Sequence, residues 1–358
     1  MVLGIGSGVI ISGRGMSVPS TVVGNEEVIE TLREHIEDEK LRKKLTPDWP
    51  LRTIGIKSRR RADPAKGETA TSLTACAAVE ALNKRGASLE DIDCIISVTS
   101  GTADNDAIPQ LAGAVHERLR EHYGAPEHTT PVFDLNSGCS GMLYGMAVAY
   151  SMISTGLCTR VLLTATDLIF SRRSNPADAE TYQVFGDGSS AFVLERTGHP
   201  ARTNGTRNGI LLGGILLNGF GNTKTLRCEN GYVLMDKGKD VYRFAVKKAE
   251  GEIPAMLKRL GIPLASIDHF LFHQANDTIN AAIMKRLGIK PKKCYSNIRY
   301  YGNTACASVG LLLCEVADRF KPGDTVLFYA AGAGLAWAVI VMRWGTVQGM
   351  LLEKQARA

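Results

Sequence analysis

Two similar blocks of sequence lie about half the chain apart, and their spacing constrains the fold more than any other feature. Residues 82–93 read as a helix end, a glycine stop, a short turn and the start of a hydrophobic strand, and residues 257–268 repeat this order. Matching positions are offset by 175 residues, as in Gly86 and Gly261. A repeat of this kind predicts two similar halves related by pseudo-symmetry. Helix–glycine–strand junctions occur in many α/β proteins, so the blocks alone leave a chance likeness open.

Short hydrophobic runs alternate with amphipathic stretches along the chain, which favours an α/β fold. The predicted strands are Val9–Ser12, Cys94–Thr99, Val132–Leu135, Val161–Ala165, Ala191–Glu195, Ile210–Leu217, His269–His273, Val326–Ala330 and Trp337–Arg343. The predicted helices are Asn25–Leu45, Thr69–Arg85, Pro109–His122, Cys139–Thr155, Val241–Leu260, Thr278–Leu287 and Thr304–Phe320. We expect an N-terminal half, residues 1–200, and a C-terminal half, residues 201–358, joined through the polar segment Gly198–Gly209.

The composition is that of an ordinary globular protein. Of the 358 residues, 44% are hydrophobic and 22% charged, which excludes a disordered, collagenous or coiled-coil chain. The net charge of +6 permits an acidic partner but does not require nucleic acid. The eight cysteines form no CxxC pair, which indicates a reducing compartment. The first residues lack a basic segment, and the apolar run Ala330–Met342 is too short to cross a bilayer. We therefore expect a cytoplasmic protein without a membrane span.

Two stretches read as additions to a compact half. Asn25 is expected to cap a surface helix that extends to Leu45 and carries Glu26 and Glu27 in its first turn. The polar segment 115–130 contains three histidines, but their spacing does not bring them to one face of a helix. We expect surface histidines there and no metal site.

The sequence around Cys139 has the pattern of a strand, a turn of small residues and a helix. The strand is Val132–Leu135, and Gly138 and Gly141 permit a sharp turn and the close approach of a substrate. A thiol at the start of a helix has its pKa lowered towards neutrality, which would supply a thiolate nucleophile. A buried structural cysteine is the alternative.

His273 and Asn303 follow a related pattern. His273 comes directly after an apolar strand, at the edge where open α/β sheets bind ligands, and Asn303 precedes a second turn of small residues. Considered alone, His273 is typical of a structural histidine and Asn303 of a helix cap. In two duplicated halves both turns face one crevice, so Cys139, His273 and Asn303 would meet there. A cluster of thiol, imidazole and carboxamide suits chemistry on an acyl thioester.

Six short motifs follow one another along nearly the whole chain. They are RTIGIKSRR (52–60), NSGCSGMLYG (136–145), FGDGSSA (185–191), HQAN (273–276), GNTACAS (302–308) and AAGAGLAWA (330–338). In this order and spacing they closely resemble the ketoacyl-acyl-carrier-protein synthase III family of thiolase-fold condensing enzymes. The resemblance implies a five-layered αβαβα fold built from two duplicated halves, in agreement with the repeat, and a homodimer.

The resemblance also implies a decarboxylative Claisen condensation. Cys139 takes an acyl group from a thioester, malonyl-acyl carrier protein loses carbon dioxide, and the resulting carbanion attacks the acyl-cysteine. The family's oxyanion donors are the backbone N–H groups at the positions of Cys139 and Ala333. His273 and Asn303 hydrogen-bond the enolate oxygen as neutral donors. Phe185 matches an aromatic residue beside the departing carboxylate, and no metal or redox cofactor is required.

The positions that bind the acyl donor depart from the family pattern. Trp49 matches a tryptophan that stacks on coenzyme A, and the resemblance places Arg52, Gly238 and Asn276 among the substrate-binding positions. Three arginines of the family are replaced in this chain, by Thr53, Ala179 and Thr278, although Arg172 and Arg173 lie near the second. An arginine fork is hard to replace in phosphate recognition. The hypothesis that follows is an acyl-carrier-protein donor, or coenzyme A held in another way.

Further positions concern the carrier protein and the acyl chain. Arg243, Lys285 and Arg286 match basic positions that dock the acidic acyl carrier protein. Ile108 matches a position that lines the acyl pocket across the dimer interface and is often Phe. The smaller side chain implies an acyl group larger than acetyl.

Other functions are less favoured by the sequence. A variant within the family, an acyltransferase or ketosynthase of a secondary-metabolite pathway with an unusual acyl donor, stays open. A cysteine hydrolase has no use for duplicated halves or a basic rim. A nucleic-acid-binding protein is disfavoured because a basic run as short as Arg59–Arg61 is weak evidence for it.

Overall fold

The computed structural model describes residues 8–101, 109–196, 208–219, 224–235 and 238–345. The strands are β1 (Val9–Ser17), β2 (Thr21–Gly24), β3 (Ser58–Arg61), β4 (Cys94–Val98), β5 (Val132–Leu135), β6 (Arg160–Leu168), β7 (Asp187–Arg196), β8 (Asn208–Asn218), β9 (Arg227–Glu229), β10 (Tyr232–Leu234), β11 (His269–Phe272), β12 (Thr325–Gly332) and β13 (Ala336–Gly345). The helices are α1 (Asn25–His35), α2 (Glu39–Lys44), α3 (Trp49–Ile54), α4 (Ala70–Arg85), α5 (Leu111–Tyr123), α6 (Gly141–Ser154), α7 (Ile169–Arg173), α8 (Ala179–Tyr182), α9 (Gly238–Leu260), α10 (Asp277–Leu287), α11 (Ile298–Tyr301) and α12 (Ser308–Val316).

The main sheet repeats one strand order in its two halves. Nine strands run in the order β11-β12-β13-β8-β1-β7-β6-β4-β5, and β1 pairs with β8 where the halves join. In the first half, β4 lies between β6 and the parallel edge strand β5. In the second half, β11 lies between β12 and an isolated parallel bridge from Phe270 to Cys294. The bridge stands where the first half has its edge strand, so the two halves share a topology.

The two repeated blocks have the same structure, which explains their 175-residue offset. Helix α4 ends before Gly86 at φ 68° and α9 ends before Gly261 at φ 66°, and each is followed by a 3-10 turn and a strand. The carboxylate of Asp93 accepts an N–H from the start of β6 at 2.8 Å. Asp268 accepts one from the start of β12 at 2.8 Å. The predicted duplication is therefore confirmed.

The layers follow from which helices share a core with which strands. Helices α6 and α12 pack between the two halves of the sheet, in a core that includes Met142, Leu312 and Phe328. Helices α4 and α5 cover the outer face of the first half, and α9 and α10 cover that of the second. The order is helix, sheet, helix, sheet, helix, so the five-layered αβαβα fold is confirmed.

A cap formed largely by residues 21–61 covers one end of these layers, and the predicted helix Asn25–Leu45 is wrong in detail. The chain leaves the helix at Ile36, which is extended (φ −88°, ψ 122°), and Asp38 caps α2 by accepting the Lys40 N–H at 2.8 Å. Gly24 occupies the cap position that was predicted for Asn25. The buried Asn25 side chain instead accepts a hydrogen bond from the guanidinium of Arg59 at 2.9 Å.

Several predicted features fall outside the described residues or on the surface. The boundary between residues 1–200 and 201–358 lies at segment 197–207, and Ile108 lies in segment 102–108, both outside the described residues. His116 and His128 form a hydrogen-bonded pair at 3.0 Å. No metal-binding group of three or more His, Cys, Asp or Glu occurs in the part of the chain that the structure describes. In that same part, no helix combines the length and the apolar character that a membrane span needs.

Candidate active site

Cys139 lies in a 3-10 turn, Gly138–Ser140, that joins β5 to α6. Its side chain is buried against the end of β12. A Cβ atom on Gly332 would lie 2.5 Å from Cys139 Cβ and 2.9 Å from Sγ, so only glycine leaves room for the thiol. The glycine-rich AAGAG loop therefore packs directly on the sulfur.

Burial controls the state of the thiol. Burial raises the pKa of Cys139 to about 12, and the Asp167 carboxylate raises it further, while the backbone N–H groups of Ala333 and Cys139 oppose the rise. The predicted lowering of this pKa is wrong, because desolvation outweighs the helix start. The two opposing N–H groups are the pair that the family resemblance names as oxyanion donors. They are directed at the sulfur, so a carbonyl carbon bonded to that sulfur would hold its oxygen, where negative charge develops during acyl transfer, close to them.

His273 follows β11 and is buried with its two ring nitrogens in different surroundings. Nδ1 lies 2.5 Å from the hydroxyl of Ser308, which also accepts the N–H of Gln274 at 3.3 Å. The hydroxyl accepts from Gln274 and can donate its own hydrogen to Nδ1, and in that tautomer the ring proton lies on Nε2. Nε2 is buried and has no hydrogen-bond partner among the described residues. Burial lowers the pKa of His273 to about 4, so the imidazole is neutral at physiological pH.

Asn303 has its carboxamide fixed in one orientation. Oδ1 accepts the Ala305 N–H at 2.9 Å, which leaves the NH2 group as a donor. Its backbone joins the FGDG loop, since Gly186 N–H donates to Asn303 O at 3.0 Å and Asn303 N–H donates to Val184 O at 2.9 Å. A Cβ atom on Gly186 would collide with the Tyr301 carbonyl oxygen. The glycine thus allows the two loops to meet.

The loops that carry the three predicted catalytic residues converge. The turn Ala305–Ala307, which follows Asn303, contacts the turn that carries Cys139. Cys306 N–H donates to Asp167 at 3.0 Å, and Ser308, at the end of the same turn, holds His273. The structure therefore brings the three loops to one place, as the duplication predicts.

A cavity of about 200 Å³ opens beside Cys139. Its lining includes Phe185, Ala305 and Ala333, together with Ile169, Leu226 and Val233. Phe185 and the thiol therefore share the wall of one cavity. The cavity is of a size for a short acyl chain.

A second, wider cavity of about 760 Å³ lies at the surface and contains most of the predicted donor-binding residues. Trp49, Gly238, Arg243 and Asn276 line it. Asn276 caps α10, because its Oδ1 accepts the N–H of Thr278 at 2.8 Å.

Arg52, however, does not line this cavity. Its exposed guanidinium pairs with Asp48 at 2.9 Å. Carboxylates contribute to the lining instead, from Glu180 and Asp240. The expected substrate contact of Arg52 is therefore absent from the described wall. That wall carries two carboxylates, Glu180 and Asp240, beside two cations, Lys239 and Arg243.

The predicted docking residues lie on the two outer helices of the second half. Lys285 and Arg286 occupy the last turn of α10, and Arg286 pairs with Glu250 of α9 at 3.0 Å. Arg243 is exposed near the start of α9, 3.4 Å from Asp240. Lys285 is nine residues beyond the Asn276 cap, or roughly 13 Å along the helix. Of the three docking residues, Arg243 lines the wider cavity.

Sequence reasoning missed two groups beside the site. Ser308 was part of the GNTACAS motif, but its contact with His273 depends on the tertiary fold. Asp167 is fully buried at the end of β6, where it accepts hydrogen bonds from Ser100 and Cys306. No sequence pattern marks it, because its partners come from both halves.

Comparisons with known proteins agree with this architecture. Residues 133–207 match the family described as 3-oxoacyl-(acyl-carrier-protein) synthase III, and residues 257–344 match its C-terminal part. A beta-ketoacyl-(acyl-carrier-protein) synthase III of Trichormus variabilis is 33% identical over 349 residues, covering 94% of this chain and 98% of the relative. The solved 3-oxoacyl-(acyl-carrier-protein) synthase III of Aquifex aeolicus is 28% identical, covers 94% of this chain and 100% of its own, and superimposes with a TM-score of 0.79.

The fold is shared more widely than the family. The priming beta-ketosynthase of the R1128 polyketide pathway superimposes with a TM-score of 0.79, covering 95% of this chain and 98% of its own, at 24% identity. That likeness concerns the fold alone.

Fold and comparisons together define a thiolase-fold condensing enzyme, which is an acyltransferase. Within that class, the chain belongs to the beta-ketoacyl-(acyl-carrier-protein) synthase III family.

Proposed function

We propose that the chain acylates Cys139 from an acyl thioester and condenses this acyl group with malonyl-acyl carrier protein. One observation carries the proposal: the N–H groups of Cys139 and Ala333 face a buried thiol that opens onto a small, largely apolar cavity. This geometry suits a thioester carbonyl whose oxygen becomes negative on attack.

In the first step Cys139 Sγ attacks the thioester carbonyl. A new carbon–sulfur bond forms, the donor's carbon–sulfur bond breaks, and the donor thiol leaves with the proton. The resting thiol is protonated, so its ionisation accompanies the attack. The two N–H groups favour negative charge at this point of the site.

In the second step malonyl thioester loses its carboxylate as carbon dioxide, and the electron pair becomes an enolate. We propose that Nε2–H of His273 and the NH2 group of Asn303 donate to the enolate oxygen. A neutral imidazole supports this role, because the pKa of His273 is lowered to about 4 by burial. The enolate carbon attacks the carbonyl carbon of the acyl-cysteine, and a new carbon–carbon bond forms as the carbon–sulfur bond to Cys139 breaks. The released thiolate of Cys139 takes up a proton from water. These steps need no metal or redox cofactor.

We propose an acyl-carrier-protein donor rather than coenzyme A. Arg52 pairs with Asp48, and Glu180 and Asp240 line the outer cavity. Lys239 and Arg243 line the same wall, so its formal charges balance. The donor proposal is supported by the replacement of three family arginines by Thr53, Ala179 and Thr278, because an arginine fork is hard to replace in phosphate recognition. A carrier protein presents only its phosphopantetheine arm to this cavity, with Trp49, Gly238 and Asn276 as contacts, while Arg243, Lys285 and Arg286 receive its acidic surface.

We further propose a cytoplasmic homodimer that binds neither nucleic acid nor membrane. Strand β5 supports the dimer, because it pairs on one side with β4 and has no second strand neighbour among the described residues. An unpaired edge of this kind suits pairing with a second copy. An Ile at position 108 in place of a larger residue supports an acyl group larger than acetyl.

Mass spectrometry tests the proposal directly. The protein is incubated with acyl-carrier-protein and acyl-coenzyme A forms of the same acyl group, and the mass of the Cys139 peptide is followed. Addition of malonyl-acyl carrier protein should discharge the acyl group with release of one carbon dioxide per ketoacyl product. Discharge to free acid without malonyl dependence would contradict the proposal. Rapid, saturable acylation by coenzyme A thioester would contradict the donor assignment.

A variant function, a ketosynthase of a secondary-metabolite pathway with an unusual acyl donor, keeps the same chemistry. The loss of three family arginines, at Thr53, Ala179 and Thr278, favours an unusual donor. The identity of the acyl group that Cys139 accepts distinguishes this variant from the function proposed above.

A further inference from the structure

The acyl cavity beside Cys139 carries positive charge that the proposed reaction does not use. Two arginines line it, Arg173 from the last position of α7 and Arg227 from the first position of β9. The remaining wall is largely apolar, with Ile169, Phe185 and Val233 among its members. Apolar acyl chains need no cation, so the arginines call for a separate explanation.

The two arginines differ in their partners. Arg227 is neutralised by Glu229, whose Oε2 lies 2.7 Å from its guanidinium, and it also donates to the Lys224 carbonyl oxygen at 3.0 Å. Arg173 forms no ion pair with any carboxylate of the described residues; its hydrogen bond is to Cys228 Sγ at 3.4 Å. Its guanidinium passes beside Gly101, where an added Cβ would lie 3.5 Å from Nε. Among the residues that the structure describes, the cavity therefore holds one net positive charge, on Arg173.

The backbone fixes Arg173 in this position. Asp187 of the FGDG motif is buried, and its carboxylate accepts the Phe170 N–H at 2.9 Å and the Ser171 N–H at 3.3 Å. These bonds anchor the first turn of α7 to the start of β7. Because α7 is only one turn long, the backbone of its last residue, Arg173, lies close to this anchor.

An uncharged acyl chain would cover the Arg173 guanidinium without replacing its hydrogen bonds to water, which is costly. A chain that ends in a carboxylate would accept those hydrogen bonds, and arginine is well suited to pair with a carboxylate through two parallel bonds. The single net charge matches a monoanion better than a phosphate dianion. The cavity of about 200 Å³ has room for roughly seven water-sized groups, at about 30 Å³ each.

We propose that the acyl group accepted by Cys139 is a short chain that ends in a carboxylate, which pairs with Arg173. This inference rests on the proposed acylation of Cys139 and names its substrate class. The enzyme thus consumes the thioester of a short dicarboxylic acid. A ligase that joins this acid to the thiol of a carrier protein or of coenzyme A must supply the thioester.

Matched acyl chains test the proposal. Glutaryl and 5-methylhexanoyl thioesters of phosphopantetheine have the same shape, since two methyl groups replace the two carboxylate oxygens. Both candidate donors, acyl carrier protein and coenzyme A, carry the acyl group on phosphopantetheine. The result therefore does not depend on which of them is the natural donor. The rate of acylation is read from the mass of the Cys139 peptide, with Cys139→Ala as the blank. We expect glutaryl to react about 10- to 100-fold faster, as a charged hydrogen-bond pair allows.

Variants at two neighbouring arginines sharpen the test. Arg173→Leu should abolish the preference for glutaryl and leave 5-methylhexanoyl as fast or faster, and Arg173→Lys should restore part of it. Arg172→Leu, on the exposed neighbour in the same helix, should leave the preference unchanged. A urea midpoint close to that of the wild type verifies folding of each variant, and a preference retained by a folded Arg173→Leu would overturn the proposal.

Two other results also contradict it. Equal rates for the two chains, or a faster uncharged chain in the wild type, would overturn the substrate class and leave the proposed function standing. Failure of both chains, and of acetyl and butyryl, to label Cys139 would overturn the proposed function and this inference with it.

Discussion

Ser308 Oγ lies 2.5 Å from His273 Nδ1, and the same oxygen accepts the N–H of Gln274. This contact joins a residue at the start of α12 to the residue that follows β11. A hydroxyl that donates in this contact selects the imidazole tautomer with its proton on Nε2, which is the nitrogen without a partner in the described structure. The hydroxyl therefore decides whether His273 can act as a neutral donor.

Removing this hydroxyl should affect condensation and spare acylation. In Ser308→Ala, the tautomers of His273 are no longer biased, and we expect the rate of ketoacyl formation to fall about tenfold. The rate of Cys139 acylation and the KM for malonyl-acyl carrier protein should change little. Ser308→Thr keeps a hydroxyl and should recover part of the rate. A parallel loss in both half-reactions would point to a purely structural role.

The buried histidine should make stability depend on pH. The pKa of His273 is about 4 in the folded protein against 6.5 in an unfolded chain, so between these values the unfolded chain binds more protons. Stability from this group is complete above pH 6.5 and is lost as the pH falls towards 4, by on the order of 3 kcal/mol. The free energy of unfolding, measured with urea between pH 4.5 and 7, should depend less steeply on pH in His273→Asn than in the wild type. Equal slopes would contradict the neutral buried imidazole.

The raised pKa of Cys139 predicts how the free enzyme reacts with alkylating agents. Since burial raises this pKa to about 12, the thiolate fraction increases with pH throughout the neutral range. Iodoacetamide labelling of Cys139 should accelerate about tenfold per pH unit from 7 to 9. Glutathione in the same buffers controls for the reagent. A plateau near pH 7 would instead support a thiolate stabilised by the helix start.

Gly332 should be required for the geometry of the thiol. Gly332→Ala places a Cβ atom 2.9 Å from Cys139 Sγ, and displacement of the sulfur should slow acylation about 100-fold. Gly251→Ala in α9 is the matched control, because a Cβ atom there meets nothing within 4 Å. The control should stabilise the protein by about 0.5–1 kcal/mol and keep full activity. Normal acylation by Gly332→Ala would show that the AAGAG loop does not position the sulfur.

Charge reversal on α10 should weaken the binding of the carrier protein and leave the reactivity of Cys139 unchanged. With Lys285 and Arg286 both changed to Glu, we expect KM for malonyl-acyl carrier protein to rise and alkylation of Cys139 to stay unchanged. The effect should shrink at high salt, since the contact is electrostatic. Lys258→Glu, in the exposed last turn of α9, serves as the control and should leave KM near the wild-type value. An unchanged KM in the double variant would remove the docking assignment.

The sequence predicted those parts of the fold that repeat or carry glycine motifs. The offset between Gly86 and Gly261 anticipated the duplication, and the motifs anticipated which loops meet. The cap was less predictable: the pattern of residues 25–45 is helical throughout, yet Asp38 starts a new helix by accepting N–H groups of its own first turn. Strand β3, with the sequence SRRR, has no hydrophobic alternation to mark it.

Burial explains most of what sequence reasoning missed at the site. The start of a helix is visible in sequence and favours a thiolate at Cys139, whereas the desolvation that raises its pKa depends on packing from both halves. The same holds for Arg173, which lies near the position of a lost family arginine in the sequence but faces the acyl cavity in the structure. The local sequence pattern predicts the helix or strand to which a residue belongs, whereas the contacts of its side chain depend on the tertiary fold.

The central claim is that Cys139, His273 and Asn303 divide one condensation between them, and a two-stage mass measurement on three variants tests it most directly. Cys139→Ala should accept no acyl group and form no ketoacyl product. His273→Ala and Asn303→Ala should still accept the acyl group on Cys139 and then fail to convert it when malonyl-acyl carrier protein is added. Ketoacyl product from Cys139→Ala, or wild-type conversion by either of the other two variants, would contradict the account.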